Sequence, residues 1–436
     1  MVTLIRGGNV VDPVKGTIAK KDILIEADRI SKILPPGKFK ETGSQIEIID
    51  AREKIVIPGL IDMHVHLREP GHEYKETISS GCMAGASGGF TGLACMPNTE
   101  PVNDNSSVTE FILRQAMKAN SIRVFPIAAI TRESRGERLT EFGDLRKAGA
   151  VGVSDDGFPV LSSELMRRAI EYAKYHNMAV ISHCEDTDLS IGGVMHEGTV
   201  SAQIGLPGIP SASEAIMVQR EIFLAKLTNC PVHIAHVSTR EAVNAIRRAK
   251  EDGVPVTAET APHYFSMDHT AVIGYNTNTK INPPLRTPED VEAIKSALAE
   301  DVIDVIATDH APHSPLEKNV EFDKAAFGII GLETALPLTM KLVSEGVLSL
   351  PLAIRKLSSV PASILGVPGG SLKEGVVADI AIIDLEEEYI FKEEGIKSKS
   401  KNSPFIGKNL KGRNILTIVE GRIVWSRDAE HFSGRR

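Results

Sequence analysis

Cysteine is scarce and scattered in this chain: Cys82, Cys95, Cys184 and Cys230 are its only four, with no C-x-x-C pair among them. That spacing points away from a disulfide framework and from a zinc finger. No apolar run approaches the roughly 18–20 residues of a membrane span. The N-terminus enters a strand-like pattern directly, without the basic start and apolar core of a signal peptide. Like charges never gather in long blocks, so a formal net charge of -8 gives no hint of nucleic-acid or membrane-surface binding. A soluble cytoplasmic protein is the expectation. Its 436 residues, 42% of them hydrophobic, suffice for one large domain with a smaller one beside it.

Three stretches organise the chain. Residues 1–54 alternate short β-rich runs (Val2-Thr3-Leu4-Ile5, Asp22-Ile23-Leu24-Ile25, Ile46-Glu47-Ile48-Ile49) with Gly, Pro and Asp turns, and residues 368–436 do the same. Between them, residues 55–367 alternate strand-like and helix-like segments, the pattern of parallel β/α units. Eight strands are expected, at 55–63, 91–96, 123–129, 150–154, 179–182, 232–235, 254–259 and 303–308, with amphipathic stretches such as 163–176 and 213–227 between them. Eight such units predict an α/β fold of the TIM-type (β/α)8 barrel class. The terminal stretches are expected to meet in one composite β-sandwich domain, because barrel termini lie close together.

Polar residues with chemistry gather at the ends of these strands. His64 and His66 close the first, in Asp62-Met63-His64-Val65-His66-Leu67-Arg68-Glu69-Pro70-Gly71, where alternation puts both imidazoles on one side. Asp155-Asp156-Gly157 ends the fourth, His183-Cys184-Glu185 the fifth, His236-Val237-Ser238 the sixth and Asp309-His310 the eighth. Barrel active sites form at this end of the strands. Four histidines with one or two carboxylates there fit a zinc ion, or a pair bridged by a carboxylate. Arg68 sits where a substrate anion would be held beside the metal. His233, three residues before His236, falls on the opposite strand face and is left out. His263 is a weaker supporting candidate, while His72, His176, His196, His269 and His431 lie away from the strand ends and are expected to be surface or structural.

The run 62–71 resembles the signature of the dihydroorotases, within the amidohydrolase superfamily. Met96-Pro97-Asn98-Thr99, His236-Val237-Ser238, Asn282-Pro283-Pro284-Leu285-Arg286 and Ala307-Thr308-Asp309-His310-Ala311-Pro312-His313 match the same family in the same order. The resemblance covers essentially the whole chain and is greatest to the larger, bacterial-type class. It implies reversible closure of N-carbamoyl-L-aspartate to L-dihydroorotate, a step of pyrimidine synthesis. It also implies His64, His66, Asp156, His183, His236 and Asp309 as metal ligands, with Asp309 shuttling a proton as general acid and base. Zinc would supply the nucleophile by lowering the pKa of its water to about 7. Arg68 is expected to grip the substrate carboxylate, Asn98 and His313 to add hydrogen bonds, and Asn282 to meet the ring's amide edge.

One departure stands out. Many amidohydrolases bridge two metals with a carboxylated lysine on strand four, but here that strand ends Gly152-Val153-Ser154-Asp155-Asp156. Part of the dihydroorotase family resembles this chain in using an aspartate there, and Asp156 is the expected bridge. Its shorter reach predicts a firm metal at His64, His66 and Asp156 and a weaker one at His183 and His236, so one or two zinc ions per chain. Cys184 is expected to be buried and inert, and Gly328 to be a turn glycine. The expected partners are the small-molecule substrate, a second copy in a homodimer, and aspartate transcarbamoylase. Two alternatives stay open: another cyclic amidohydrolase acting on allantoin or a hydantoin, and a non-catalytic scaffold for that transcarbamoylase. Arg68 argues against the first, and the complete ligand set against the second.

Overall fold

The computed structural model describes residues 2–39 and 46–428, so His431 lies outside the described residues. Five strands open the chain: β1 (Val2–Asp12), β2 (Thr17–Glu26), β3 (Arg29–Leu34), β4 (Ile46–Asp50) and β5 (Ile55–Pro58). Then come β6 (Leu60–Val65), β7 (Phe90–Cys95), β8 (Arg123–Ala128), β9 (Gly152–Val153) and β10 (Ala179–Ser182). A small pair, β11 (Met195–His196) and β12 (Gly208–Ile209), stands apart before β13 (Val232–Ile234), β14 (Val256–Thr260) and β15 (Val305–Ile306). The chain ends in β16 (Ile380–Ile390), β17 (Asn409–Val419) and β18 (Arg422–Ser426).

The strands β6, β7, β8, β9, β10, β13, β14 and β15 pair in that order, all in parallel, as the eight-stranded wall of a nearly closed barrel. Among the described residues the first and last strands are joined by the bridge Val65–His310, where His66 N donates to His310 O at 2.9 Å, and by Thr308 N donating to Asp62 Oδ1 at 3.1 Å. Helices pack outside. The helix Arg240–Glu251, for example, is capped by Thr239 and turns Ala242, Val243, Ile246 and Ala249 inward, the three-and-four spacing that gives a helix one apolar face. The amphipathic stretches expected at 163–176 and 213–227 are the helices Ser163–Tyr175 and Ser211–Thr228.

The terminal strands form a separate eight-stranded sheet in the order β18-β17-β16-β5-β1-β2-β3, with β4 also on β1. The first half of β1 pairs with β4 and the second half with β5, on either side of a bulge between Ile5 and Gly8. The run 55–63, expected as one strand, is therefore two. Residues Ile55–Pro58 join the terminal sheet against β1 and β16, and the barrel begins at Leu60. From Ile55 to Ile61 the run is apolar without alternation save for Pro58 and Gly59, so periodicity gives no sign of the transfer. The break falls at Gly59, where an added Cβ would lie 2.2 Å from the Thr91 side chain. Among the described residues, no helix is long and apolar enough to cross a membrane.

Candidate metal centre and active site

His64 lies inside β6 and His66 just beyond it; His183 follows β10 by one residue, His236 follows β13 by two, and Asp156 and Asp309 follow β9 and β15 by three. Because the strands are parallel, all six side chains arrive at one end of the barrel. Three residues at this mouth carry left-handed backbone: Arg68 at φ 63°, His236 at 31° and Asp309 at 48°. Such conformations cost about 1–3 kcal/mol each and cluster at functional sites.

Two groups of donors here can hold a metal: His64, His66 and Asp156, and Asp156, His183 and His236. Asp156 belongs to both. Its oxygens lie 3.4 Å from His64 Nε2, 3.5 Å from His66 Nε2, 3.4 Å from His183 Nδ1 and 3.5 Å from His236 Nε2. These separations are long for hydrogen bonds. They match the roughly 3.3–3.4 Å between ligands bound at 2.0–2.1 Å around a tetrahedral ion. His64 Nε2 and Asp156 Oδ1 are buried without a hydrogen-bond partner, and an ion between them would satisfy both. The donor set fits a metal. Asp309 Oδ1 edges the first group, 3.2 Å from His66 Nε2 and 3.7 Å from His64 Nε2. Asp155, the neighbour of Asp156, turns away and accepts from the Thr131 backbone at 3.1 Å.

The electrostatics follow from that crowding. Burial works to raise the Asp156 carboxyl, but His64, His183 and His236 overcome it and hold it well below the usual carboxylate range. Burial opposes charge on His183, yet Asp156 and Glu185 carry its imidazole up to about 10. Burial would likewise raise Asp309, and His66, His64 and His236 bring it down, so it stays ionised. The raised imidazoles of His64 and His183, facing shared carboxylate, are what a cation would replace.

Three of the four imidazoles are held from behind. His64 Nδ1 donates to Glu259 Oε1 at 2.6 Å, His66 Nδ1 to Asn98 Oδ1 at 2.8 Å, and His183 Nε2 to Glu185 Oε2 at 2.8 Å. Each bond fixes which ring nitrogen faces Asp156. Glu259 and Glu185 were not singled out by sequence reasoning, although one ends a strand and the other follows His183 by two. The Glu259 carboxylate also accepts from His233 Nε2 at 3.2 Å. His233 was set aside by counting alternation back from His236, but His236 lies beyond the strand with left-handed backbone, where the count no longer applies.

The other named residues sit as follows. Arg68 Nε donates to Pro312 O at 3.2 Å and its Nη2 lies 3.3 Å from His313 Nε2. A guanidinium has no lone pair to give, so His313 Nε2 accepts and its proton rides on Nδ1. Burial and the Arg68 charge push His313 down to about 2, so it is neutral. Asn98 Nδ2 donates to Asp156 Oδ2 at 3.4 Å, and Asn282 Nδ2 to Glu185 Oε2 at 2.9 Å. Asn98 thus touches a donor of both groups, and Asn282 the carboxylate that holds His183. Cys184 Sγ turns to Ser182 at 3.7 Å and belongs to neither donor group; burial pushes its thiol up. His263 is buried and, held down to about 4 chiefly by that burial, neutral. Gly328 has φ 129°, and a Cβ there would meet Ala311 Cβ at 2.6 Å and the His313 ring at 3.3 Å. A cavity of about 720 Å³ between the helix Ile78–Ser87 and the terminal sheet holds neither group of donors, and its Arg413 and Arg427 are paired with Glu387.

A family described as dihydro-orotase-like matches residues 53–242. A dihydroorotase of Geobacter metallireducens is 54% identical over 427 residues, covering 98% of this chain and 100% of the relative. The chain belongs to the dihydroorotase family. A dihydroorotase of Syntrophus aciditrophicus is 50% identical over 429 residues, again covering 98% of this chain and 100% of the relative. As a dihydroorotase family member, the chain is a hydrolase acting on cyclic amides. Its fold is shared with an L-hydantoinase (dihydropyrimidinase) of Arthrobacter aurescens, at TM-score 0.86 and 24% identity over 98% of this chain and 96% of the other. A dihydropyrimidinase of Brevibacillus agri shares it at TM-score 0.81 and 21% identity, over 97% and 95%.

Proposed function

We propose that this member of the family is a zinc-dependent dihydroorotase, interconverting N-carbamoyl-L-aspartate and L-dihydroorotate plus water. The observation that carries the reading is Arg68, with neutral His313 against it, at the same barrel mouth as the Asp156-centred donor set. Dihydroorotate differs from hydantoins and allantoin in carrying a ring carboxylate, and a guanidinium is the side chain suited to grip one. The curated relatives named above bear the same activity in their names.

His64, His66 and Asp156 would hold the first ion, and Asp156, His183 and His236 a second, weaker one. When bound, zinc activates water at neutral pH and polarises the amide carbonyl. The protein's own residues do the rest. Arg68 anchors the carboxylate and so orients the ring. Asp309, ionised and buried beside His66, takes the proton of the attacking water and returns it to the leaving ring nitrogen. Asn282 meets the amide edge, and Asn98, whose Oδ1 accepts from His66 and whose Nδ2 donates to Asp156, turns its second N–H to the substrate.

The test is hydrolysis of L-dihydroorotate, a hydantoin and allantoin by the purified protein, with metal content measured on the same sample. Preference for dihydroorotate by about a hundredfold or more in kcat/KM supports the assignment. Turnover of the uncharged rings at equal or greater rate would overturn it, as would no hydrolysis by zinc-loaded protein.

A further inference from the structure

Asn402 belongs to neither the barrel strands nor any donor group, yet its side chain is fully engaged at the active-site mouth. It is 4% exposed. Its Nδ2 donates to Ala311 O and to Gly328 O, both at 3.0 Å, and its Oδ1 accepts from His313 N at 3.1 Å. Its backbone oxygen accepts from Ile330 N at 3.0 Å. One amide thus ties the loop 310–313 to the loop 328–330 and fixes the backbone that carries His313.

The segment that delivers Asn402 is anchored along its length. Glu333 accepts from the backbone N–H of Lys397 at 2.9 and 3.1 Å and of Ser398 at 3.3 Å. Glu76, fully buried, accepts from Lys399 N at 3.0 Å and from the Ser398 hydroxyl. Ser400 Oγ donates to Lys75 O at 2.6 Å. Glu76 and Lys75 belong to the loop that follows Arg68, while Ala311 and His313 belong to the loop whose Pro312 oxygen receives Arg68 Nε. The chain between β16 and β17 therefore grips both loops that meet at the Arg68–His313 contact.

We propose that Asn402 is a positioning residue for the carboxylate end of the substrate site. It acts through His313 and the carbonyls of Ala311 and Gly328 and touches neither metal ligands nor substrate. This rests on the assignment of Arg68 and His313 to the substrate carboxylate. Only an amide supplies two donors and an acceptor in this arrangement. Truncation leaves the Ala311 and Gly328 carbonyls and the His313 N–H without these partners and frees His313 to shift against Arg68.

The experiment compares wild type with Asn402→Ala on dihydroorotate, and measures inhibition by 5,6-dihydrouracil, the same ring without the carboxylate. The expected result is a KM for dihydroorotate raised about tenfold. In the same variant kcat stays within about twofold, metal content is unchanged, and the dihydrouracil inhibition constant is unmoved. Asn402→Ser, which keeps one hydroxyl donor, should fall between the two and replaces the alanine variant if that one does not fold. Unchanged KM overturns the proposal, and so does an equal loss of affinity for dihydrouracil, which would mark a general loosening of the mouth. Wild-type protein inactive on dihydroorotate would instead overturn the assigned function, a result read before any variant is compared.

Discussion

His64 Nδ1 donates to Glu259 Oε1 at 2.6 Å, and the opposite nitrogen of the same ring, Nε2, faces Asp156 Oδ1 at 3.4 Å without a hydrogen-bond partner. The glutamate thereby sets the tautomer: with the proton held on Nδ1, the lone pair on Nε2 is free for a cation. Replacing Glu259 with Gln removes the charge that holds that proton. Metal affinity of the first group should fall about 10–100-fold, measured by competition with a chelator, while affinity at the His183–His236 group falls less. Equal weakening at both would show that Glu259 acts on the fold as a whole.

Asp309→Asn separates proton transfer from metal binding. His64, His66 and Asp156 stay in place, so bound metal should persist, while kcat falls by about 10²–10⁴. Metal analysis and turnover on the same sample check both halves. Full activity would remove the acid–base role.

The metal-free protein should lose stability as pH rises from neutral. His183 carries a folded-state pKa of about 10 against an ordinary 6.5, from its contacts with Asp156 and Glu185 that outweigh its burial. A raised pKa contributes stability fully present below about 6.5, and that contribution is lost as pH climbs through about 10. Metal binding needs the same ring neutral, so affinity for the ion should rise over this window. Thermal melts at pH 6, 8 and 10 should therefore diverge, with chelator-treated protein declining and metal-loaded protein holding. Parallel curves would contradict this.

The reaction equilibrium has its own pH dependence. Closing the ring from a carboxylate with release of water consumes a proton, so the ratio of dihydroorotate to carbamoyl aspartate should fall about tenfold per pH unit between 6 and 8, where the carboxylate is ionised. A ratio fixed by mixing enzyme with either compound and constant across that range would rule out the assigned reaction.

The residues of the two donor groups were legible because each ends or follows an apolar run in a chain whose runs recur at β/α spacing. His183 stands out that way without any motif around it. Glu259 was harder to read. A glutamate closing a strand has no spacing signature, and its role depends on His64 lying opposite, 195 positions away in the chain. Asn98 and Asn282 were expected at the substrate, and their amides also bond Asp156 and Glu185, because an asparagine's partners depend on the turn that aims it. The transfer of Ile55–Pro58 to the terminal sheet was unreadable, since both sheets ask for the same apolar residues there. Asn402 had no local signal at all.

The barrel's first and last strands touch at a seam made by Val65 and His310, with no longer ladder between them. His64 and His66 stand on one lip of that seam and Asp309 on the other. An ion held by His64 and His66, with Asp309 at its edge, would then be a fastener as well as a reagent. The amide of His66, bonded across the seam to His310, should exchange with solvent slowly when metal is bound and faster when it is stripped. Wear at that one stitch would report the loss of the cofactor before the rest of the barrel registered it.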